Sequence, residues 1–482
     1  MKGYQKHYIN GEWIQGSGSK KLINTNPFTG KELFSYQSAG DKNLEYAFDS
    51  AKTAQVKWEK TTPIMKQEYL EKLIQVVMEK KNEIFYWLRE EGGSTVRKCT
   101  VEYMESIMHI KEAMAFPLMM DGKIIPSNFP GKENYVYRKP KGVIGIITPW
   151  NFPLLLAIRS IIPAVATGNT LVVKPSSDTP AVAFLIADMF ENAGFPKGII
   201  NVIAGSGNEI GDKFLSHPVP DLISFTGSTS VGRHVGEVAG RFFKDVSLEL
   251  GGNNAMVVFN DADIEQAARA AAFGAFFHQG QVCMALNRII VIEAVYDKFV
   301  NTLVDIVRNF KVGDPADPNT FIGPVINSAQ VKIIEELINA TIQAGAKVAL
   351  QGKTEGNVIH PWIFTDVTNG MPAANNEVFG PVCCLIRAAN DEEALQIANN
   401  SEYGLSGSIF TGDIFYGIQK ARCFKTGMVH VNDQSINDEP QVMFGGEKAS
   451  GLGRFNAQWV VDKFTTEQWV SVQYKNREYN IN

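Results

Sequence analysis

From about residue 140 the chain alternates short apolar runs with helix starts, and few folds accept that rhythm. Val143–Ile147 reads as a strand, and a helix follows Pro153. Thr170–Val173 is the next strand, and Thr179–Pro180 opens a helix that stops at Gly194. Ile199–Ile203 and Leu222–Phe225 repeat the pattern, each followed by a helix, the second from about Thr229. Strand and helix in regular alternation predict a parallel sheet covered on both faces. A sheet of that kind supports a nucleotide site at the carboxyl ends of its strands. After Glu249 the pattern begins again, with strands expected at Ala255–Val258, Arg288–Ile292 and Lys347–Leu350. The fold class expected is therefore α/β, with a second α/β domain after the first.

Two stretches stand outside the rhythm. The first hundred residues read as helical after a short β-like opening, HYINGEWI. From Leu44 the apolar positions Ala47, Phe48, Ala51, Ala54 and Trp58 have helical spacing. Pro63 after Thr62 starts another helix carrying Leu70, Leu73, Ile74 and Val77, and Gly92–Gly93 end the region. Residues 118–138 read as a hairpin, and the terminal WVSVQYK as one more strand. A length of 482 residues suits two or three domains.

Composition narrows the function classes. Apolar residues at 45 % and charged residues at 20 % exclude a disordered, collagen-like or disulfide-scaffold chain. Lys and Arg number 46 against 51 Asp and Glu, and a net charge of −5 is not the basic footprint of a nucleic-acid partner. The most apolar region, Val143 to Val173, is broken by Pro149, Asn151, Pro153, Arg159, Pro163 and Asn169. It offers no run of about 18 apolar residues, so no membrane span is expected. The opening residues carry no apolar core of signal-peptide length. The five cysteines are scattered with no C-x-x-C pair, against both a zinc ribbon and a thioredoxin site. A cytoplasmic protein without a metal centre is the expectation.

Two glycine motifs fall short of known fingerprints. Gly205, Gly207 and Gly211 follow a strand, but the third glycine is one residue late for G-x-G-x-x-G. A tight strand-to-helix turn explains them. Gly227 to Gly232 has phosphate-loop spacing but runs into Arg233–His234 instead of Lys-Ser/Thr. Phe225-Thr226-Gly227-Ser228 still ends a strand and begins a helix, where free N–H groups attract an anion such as pyrophosphate.

Three residues are candidates for chemistry. Cys283 lies in a glycine-flanked polar segment, FFHQGQVCMALNR. Most free cysteines are packing residues, and that reading stands for Cys99, Cys383, Cys384 and Cys423. A nucleophilic thiol needs a base or a lowered pKa, its ordinary value being about 8.5. Glu249 sits in an apolar run ending in two glycines, VSLELGGNN. Burial there raises a carboxyl toward neutrality and makes it a usable base, although a capping or salt-bridged glutamate has the same pattern. Asn151, in TPWNFP, presents an amide that stabilises an oxyanion or simply completes a turn.

Seven motifs, taken together and in order, resemble the aldehyde dehydrogenase superfamily. They are TPWNFP (148–153), KPS (174–176), FTGSTSVG (225–232), LELGG (248–252), GQVC (280–283), EVFGPV (377–382) and FGGEKASGLGR (444–454). The resemblance implies NAD(P)-dependent oxidation of an aldehyde to its acid. It implies Cys283 as nucleophile, Glu249 as the base for the hydrolytic water, and Asn151 with the Cys283 N–H as oxyanion hole. Lys174 resembles the residue that holds the adenosine ribose, and Ser228 falls where pyrophosphate is held. Glu377 resembles the residue on the nicotinamide ribose, with Phe379 beside it; Trp150, Phe225 and Gly227 belong to the same cofactor motifs. The Gly205–Gly211 run is not the family's phosphate site. The resemblance also implies a Rossmann-like nucleotide domain (1–117 and 139–250), a catalytic domain (251–448) and a β bridging element (118–138 and 466–482). That element joins subunits, so a homodimer or homotetramer is implied.

Cofactor choice and substrate are drawn from the same resemblance. Where many NAD-preferring members carry a glutamate, three residues after the lysine, this chain has Ser177, followed by Asp178. Serine does not repel a 2′-phosphate, so NAD is expected with NADP permitted. GMVHVNDQ (427–434) and QWVSVQ (468–473) look most like the benzaldehyde, salicylaldehyde and vanillin dehydrogenase branch, hence an aromatic aldehyde. Phe152, Trp459 and Trp469 are the candidate aromatic walls. The alternatives are a CoA-acylating enzyme, which needs no base such as Glu249, and an aliphatic aldehyde or semialdehyde dehydrogenase. A non-catalytic relative would have lost the nucleophile.

Overall fold

Every residue of the runs Ile200–Val202 and Thr170–Lys174 is buried, so these segments need cover on both faces. The computed structural model, which describes residues 4–479 and 481, places them at the centre of an eight-stranded sheet. Its order is Glu12–Ile14, His7–Ile9, Ile200–Val202, Thr170–Lys174, Val143–Ile147, Leu222–Thr226, Asp245–Glu249, Gly451–Leu452. The five inner strands run parallel, and antiparallel segments close both edges. Helices Leu155–Ala166 and Pro180–Asn192 are buried almost all round, as their apolar sequences require.

The order of these strands fixes where a ligand can enter. The chain steps from Val143–Ile147 out through Thr170–Lys174 to Ile200–Val202. It then returns to the other side of Val143–Ile147 to lay down Leu222–Thr226 and Asp245–Glu249. The connections leave in opposite directions between Val143–Ile147 and Leu222–Thr226, and a crevice opens beyond their carboxyl ends. Residues 148–151 and 226–228 stand there.

A seven-stranded second sheet is ordered Lys347–Leu350, Trp362–Thr365, Val382–Ala388, Leu286–Ile292, Asn254–Val258, Gly407–Phe410, His430–Val431. All its pairs are parallel except the Lys347–Leu350 edge. A third sheet pairs Thr465–Gln473 with Lys132–Pro140, and Lys132–Pro140 with Lys123–Ile125, antiparallel throughout. These are the hairpin and terminal strand expected from 118–138 and WVSVQYK. Residues 1–3, 480 and 482, which the expected boundaries include, lie outside the described residues.

The amino-terminal region departs from expectation in one respect. Four strands, not one short opening, precede the first helix, the added pair being Lys21–Thr25 with Glu32–Gln37. Only Asn24 is buried in Lys21–Thr25, so its sequence carries little strand periodicity. The helices then follow as the spacing predicts, at Asp41–Trp58 and Pro63–Glu79. Residues 449–465, given to no domain by sequence, join the first sheet. Gly451–Leu452 pairs with Leu248–Glu249, and Val460 and Val461 of helix Ala457–Lys463 enter the same core. No helix among the described residues is long and apolar enough to cross a membrane.

Candidate active site

Asn151, Glu249 and Cys283 border one cleft of about 240 Å3, although they lie as much as 132 positions apart in sequence. Asn151 follows the strand Val143–Ile147, Glu249 ends the strand Asp245–Glu249, and Cys283 precedes the strand Leu286–Ile292. Asn151 and Glu249 are thus delivered by carboxyl ends of the first sheet.

The loop carrying Cys283 is held in an unusual backbone conformation. His278 (φ 51°), Gln279 (φ 58°) and Gly280 (φ 72°) are all left-handed, and strain of this kind gathers at functional sites. A Cβ at Gly280 would stand 2.2 Å from the Gly380 carbonyl, so only glycine allows this approach. Beyond it, Asn254 Nδ2 donates to the carbonyls of Cys283 and Ala285, each at 2.8 Å. Gln281 Oε1 accepts from the Ile326 N–H at 3.0 Å, and Gln279 Nε2 donates to the Pro324 carbonyl at 2.8 Å.

A buried pair supports the Asn151 side. Glu102 Oε1 accepts the N–H groups of Leu154 and Leu155 at 2.8 and 3.1 Å. Lys98 bonds the same carboxylate and lies over the Phe152 ring, 4.4 Å from its centroid. Asn151 Nδ2 donates one proton to the Gln281 carbonyl at 3.0 Å. An amide has a second proton to give, and the side chain borders the cavities on both sides of Cys283.

Burial dominates the electrostatics. It pushes the Glu249 carboxyl up to about 8, Arg159 and Arg454 opposing and Asp438 adding. Both Glu249 oxygens lack a hydrogen-bond partner among the described residues, which leaves them free to accept from a water or substrate. Burial likewise raises the Cys283 thiol to about 12, against the pull of Arg159. The thiol is therefore neutral before substrate arrives, and its proton must leave as it attacks.

The cleft suits a dinucleotide. Ser228 caps helix Thr229–Arg241, its Oγ accepting from the Val231 N–H at 3.4 Å, and the cleft reaches this helix start at Gly227 and Ser228. Such a start favours a phosphate group. On one side of it Glu377 faces the cleft, its Oε1 accepting from the Gly252 N–H at 2.9 Å. Burial raises Glu377 to about 7. A Cβ at Gly251 would stand 2.3 Å from Glu377 Oε2, so the glycine pair admits this carboxyl. Phe379 sits edge-on to Trp150, ring centroids 5.3 Å apart. On the other side of the helix start, a second cavity is lined by Lys174, Phe225, Gly207, Gly211 and Val235. Lys174 is buried without a hydrogen bond or ion pair among the described residues, and burial lowers it to about 8.

Beyond Cys283 lies a smaller cavity of about 80 Å3. Its wall is mostly apolar, with Phe152, Phe277 and Phe444 among the lining side chains. Arg159 and Asp438 also line it and pair at 3.0 Å, and the Arg159 guanidinium lies 4.0 Å from the Phe444 ring centroid. Glu105 stands on the same wall, its carboxyl raised to about 7 by burial and by the Asp438 and Glu439 carboxylates.

Most sequence-predicted residues converge on these cavities, and a few do not. Trp150, Asn151, Gly227, Ser228, Glu249, Cys283, Glu377 and Phe379 share the central cleft, and Lys174 and Phe225 the neighbouring one. Ser177 is half-buried after the strand Thr170–Lys174 and lines neither. Asp178 beside it is engaged by Asn327 Nδ2 at 3.1 Å. The carboxylates bordering the Lys174 cavity are Glu209, within the Gly205–Gly211 run read as a simple turn, and Asp212 just after it. That stretch is one π-helical turn, Gly207–Gly211, leading into Asp212–Ser216. Phe152 lines the small cavity, but Trp459 and Trp469 do not: they are 45 % and 65 % exposed on the terminal helix and strand. Sequence reasoning missed Phe277, Phe444, Glu105 and Asp438; only Arg159, a cation within an apolar run, carried a local signal. Among the described residues, no group of three His, Cys, Asp or Glu side chains is placed to hold a metal ion.

The aldehyde dehydrogenase family profile matches residues 13–470. A vanillin dehydrogenase from Corynebacterium glutamicum is 46 % identical over 471 residues, covering 97 % of each chain. A benzaldehyde dehydrogenase from Bacillus subtilis is 45 % identical over 98 % of each. The crystal structure of an NAD-dependent benzaldehyde dehydrogenase from Corynebacterium glutamicum superposes with a TM-score of 0.91, at 41 % identity and 99 % coverage of both chains. With a full-length match on the sequence side and the same fold on the structural side, this chain belongs to the aldehyde dehydrogenase family.

Proposed function

We propose that the protein oxidises an aromatic aldehyde to its carboxylic acid, with NAD as the preferred acceptor. The observation that carries this reading is the meeting of two unlike cavities at Cys283: a cleft that runs to the helix start at Ser228, and a small, aromatic-walled pocket. The relatives named for benzaldehyde and vanillin support the aromatic substrate, and the NAD-dependent crystal structure supports the acceptor. Glu209 and Asp212 beside Lys174 support NAD as well, because a carboxylate there binds ribose hydroxyls and repels a 2′-phosphate.

The residues divide the chemistry as follows. Cys283 Sγ attacks the formyl carbon, and the thiol proton leaves to solvent through the open cleft. The new oxyanion is held by the second Asn151 N–H and the Cys283 backbone N–H. Glu377 and Phe379 line the cleft where NAD would be held, and NAD when bound would take the hydride from the C–H of the thiohemiacetal carbon. The resulting thioester on Cys283 is attacked by a water whose proton passes to Glu249, freeing the acid and the thiol. A base with both oxygens unpartnered is needed for water and is superfluous for CoA, which favours hydrolysis over acylation of CoA.

The third sheet and the turns beside it, with Ile124, Phe129, Trp469 and Tyr474 open to solvent, support assembly into a homodimer or homotetramer. A reducing compartment such as the cytoplasm keeps Cys283 a thiol. A panel of aromatic and aliphatic aldehydes assayed with NAD and with NADP tests the reading. The expected result is highest kcat/KM for aromatic aldehydes with NAD; a preference for short aliphatic aldehydes overturns it.

A further inference from the structure

Glu105 is the one carboxylate lining the pocket beside Cys283 with a buried oxygen that no described residue bonds. It stands on helix Val96–Ala113, one turn beyond Val101, and both line the pocket that contains Cys283 and Asn151. Its Oε2 is buried and has no hydrogen-bond partner among the described residues. The pocket's other carboxylate, Asp438, has both oxygens bonded, while Arg159 keeps an unpartnered Nε, which is a donor. Arg159 Nη1 donates to Asp438 Oδ2 at 3.0 Å, and Asn456 Nδ2 donates to Asp438 Oδ1 at 2.8 Å. Any molecule that fills the pocket must therefore give Oε2 a donor or leave it unpaired, and an unpaired buried acceptor is costly.

An unsubstituted ring has no donor to give, whereas a ring hydroxyl does. We propose that Glu105 is a specificity-determining residue that selects aromatic aldehydes bearing a ring hydroxyl, its carboxylate accepting the phenolic O–H while the formyl group meets Cys283. This inference rests on the aromatic reading above. A site built to bond a substrate hydroxyl rejects the analogue lacking it far more strongly than an apolar wall does.

The test compares kcat/KM for benzaldehyde and for 2-, 3- and 4-hydroxybenzaldehyde in the wild type, Glu105→Leu and Glu105→Gln. The wild type is expected to favour at least one hydroxyl isomer over benzaldehyde by about tenfold or more, the size of a hydrogen bond to a charged group. Glu105→Leu is expected to abolish that preference and to raise kcat/KM for benzaldehyde, which also shows the variant to be folded. Glu105→Gln, whose amide oxygen still accepts, is expected to keep part of it. The inference is overturned if the wild type has no hydroxyl preference, or if Glu105→Leu keeps the wild-type ratio for every isomer. In both cases turnover of benzaldehyde leaves the aromatic reading standing. A wild type that oxidises hexanal but none of the four aromatic aldehydes removes both.

Discussion

The two cavities that meet at Cys283 are built from different materials. The cofactor side is made of strand ends, glycines and one helix start: Gly227, Ser228, Gly251 and the Gly252 N–H that holds Glu377. The smaller cavity is walled mostly by apolar residues, drawn from the helix Val96–Ala113, the helix Leu155–Ala166 and the loops around Phe277, Ile436 and Phe444. Backbone geometry constrains residue type tightly, so the first cavity writes short motifs into the sequence. An apolar wall accepts many residues of similar volume, so the second writes almost none. The comparison teaches that the pocket's own lining records the reaction type more plainly than the substrate, whose aromatic class is legible in stretches that do not line it, GMVHVNDQ and QWVSVQ.

Substitutions that separate the two cavities sharpen this contrast. The largest effect is expected from Cys283→Ala, which belongs to both: kcat for aldehyde oxidation should fall by about 10^4-fold or more, while NAD binding, followed by fluorescence titration, persists. Glu249→Gln comes next, with steady-state turnover down about 10^2- to 10^4-fold. Because hydride transfer precedes the step Glu249 serves, a stoichiometric burst of NADH should survive and an acyl adduct on Cys283 should appear by mass spectrometry. Loss of the burst would instead place Glu249 in the first half-reaction.

The pH profile follows from the same residue. Burial raises Glu249 to about 8, so at pH 7 most of it is protonated and cannot accept a proton from water. Where deacylation limits turnover, kcat should rise with pH through about 8 and level off above it, and Glu249→Gln should lack that limb. Asn151→Ala removes one oxyanion donor, and kcat is expected to fall about 10^2- to 10^3-fold with little change in the KM for NAD. The smallest effect is expected on the substrate side. Phe444→Ala should cut the preference for aromatic over aliphatic aldehydes by about tenfold and leave the KM for NAD unmoved, which checks that the two cavities act separately.

Some of the architecture was readable residue by residue. Val143–Ile147, Thr170–Lys174 and Leu222–Thr226 are apolar over their inner length because both faces of a parallel sheet are covered, and their boundaries were found to within a residue or two. The hairpin Lys21–Thr25 with Glu32–Gln37 was not found, because Lys21–Thr25 buries only Asn24, although Phe34 and Tyr36 of its partner strand alternate inward. Lys174 and Glu377 were placed by motif and stand in the cofactor cavities. Ser177 and the tryptophans Trp459 and Trp469 were reasoned from position and residue type, and the fold turns them away.

The sequence by itself determined the strand–helix alternation, the glycines the backbone requires at the cofactor cleft, and the trio Asn151, Glu249 and Cys283. Each of these is a local demand of backbone or chemistry on residue type. Only the tertiary structure decided that Gly451–Leu452 closes the first sheet, that Glu209 and Asp212 face the Lys174 cavity, and that Glu105 stands unpartnered beside Cys283. Those facts depend on which surfaces meet after long-range packing. Whether a carboxylate is exposed, paired or stranded is set by its neighbours in space, which no spacing along the chain records.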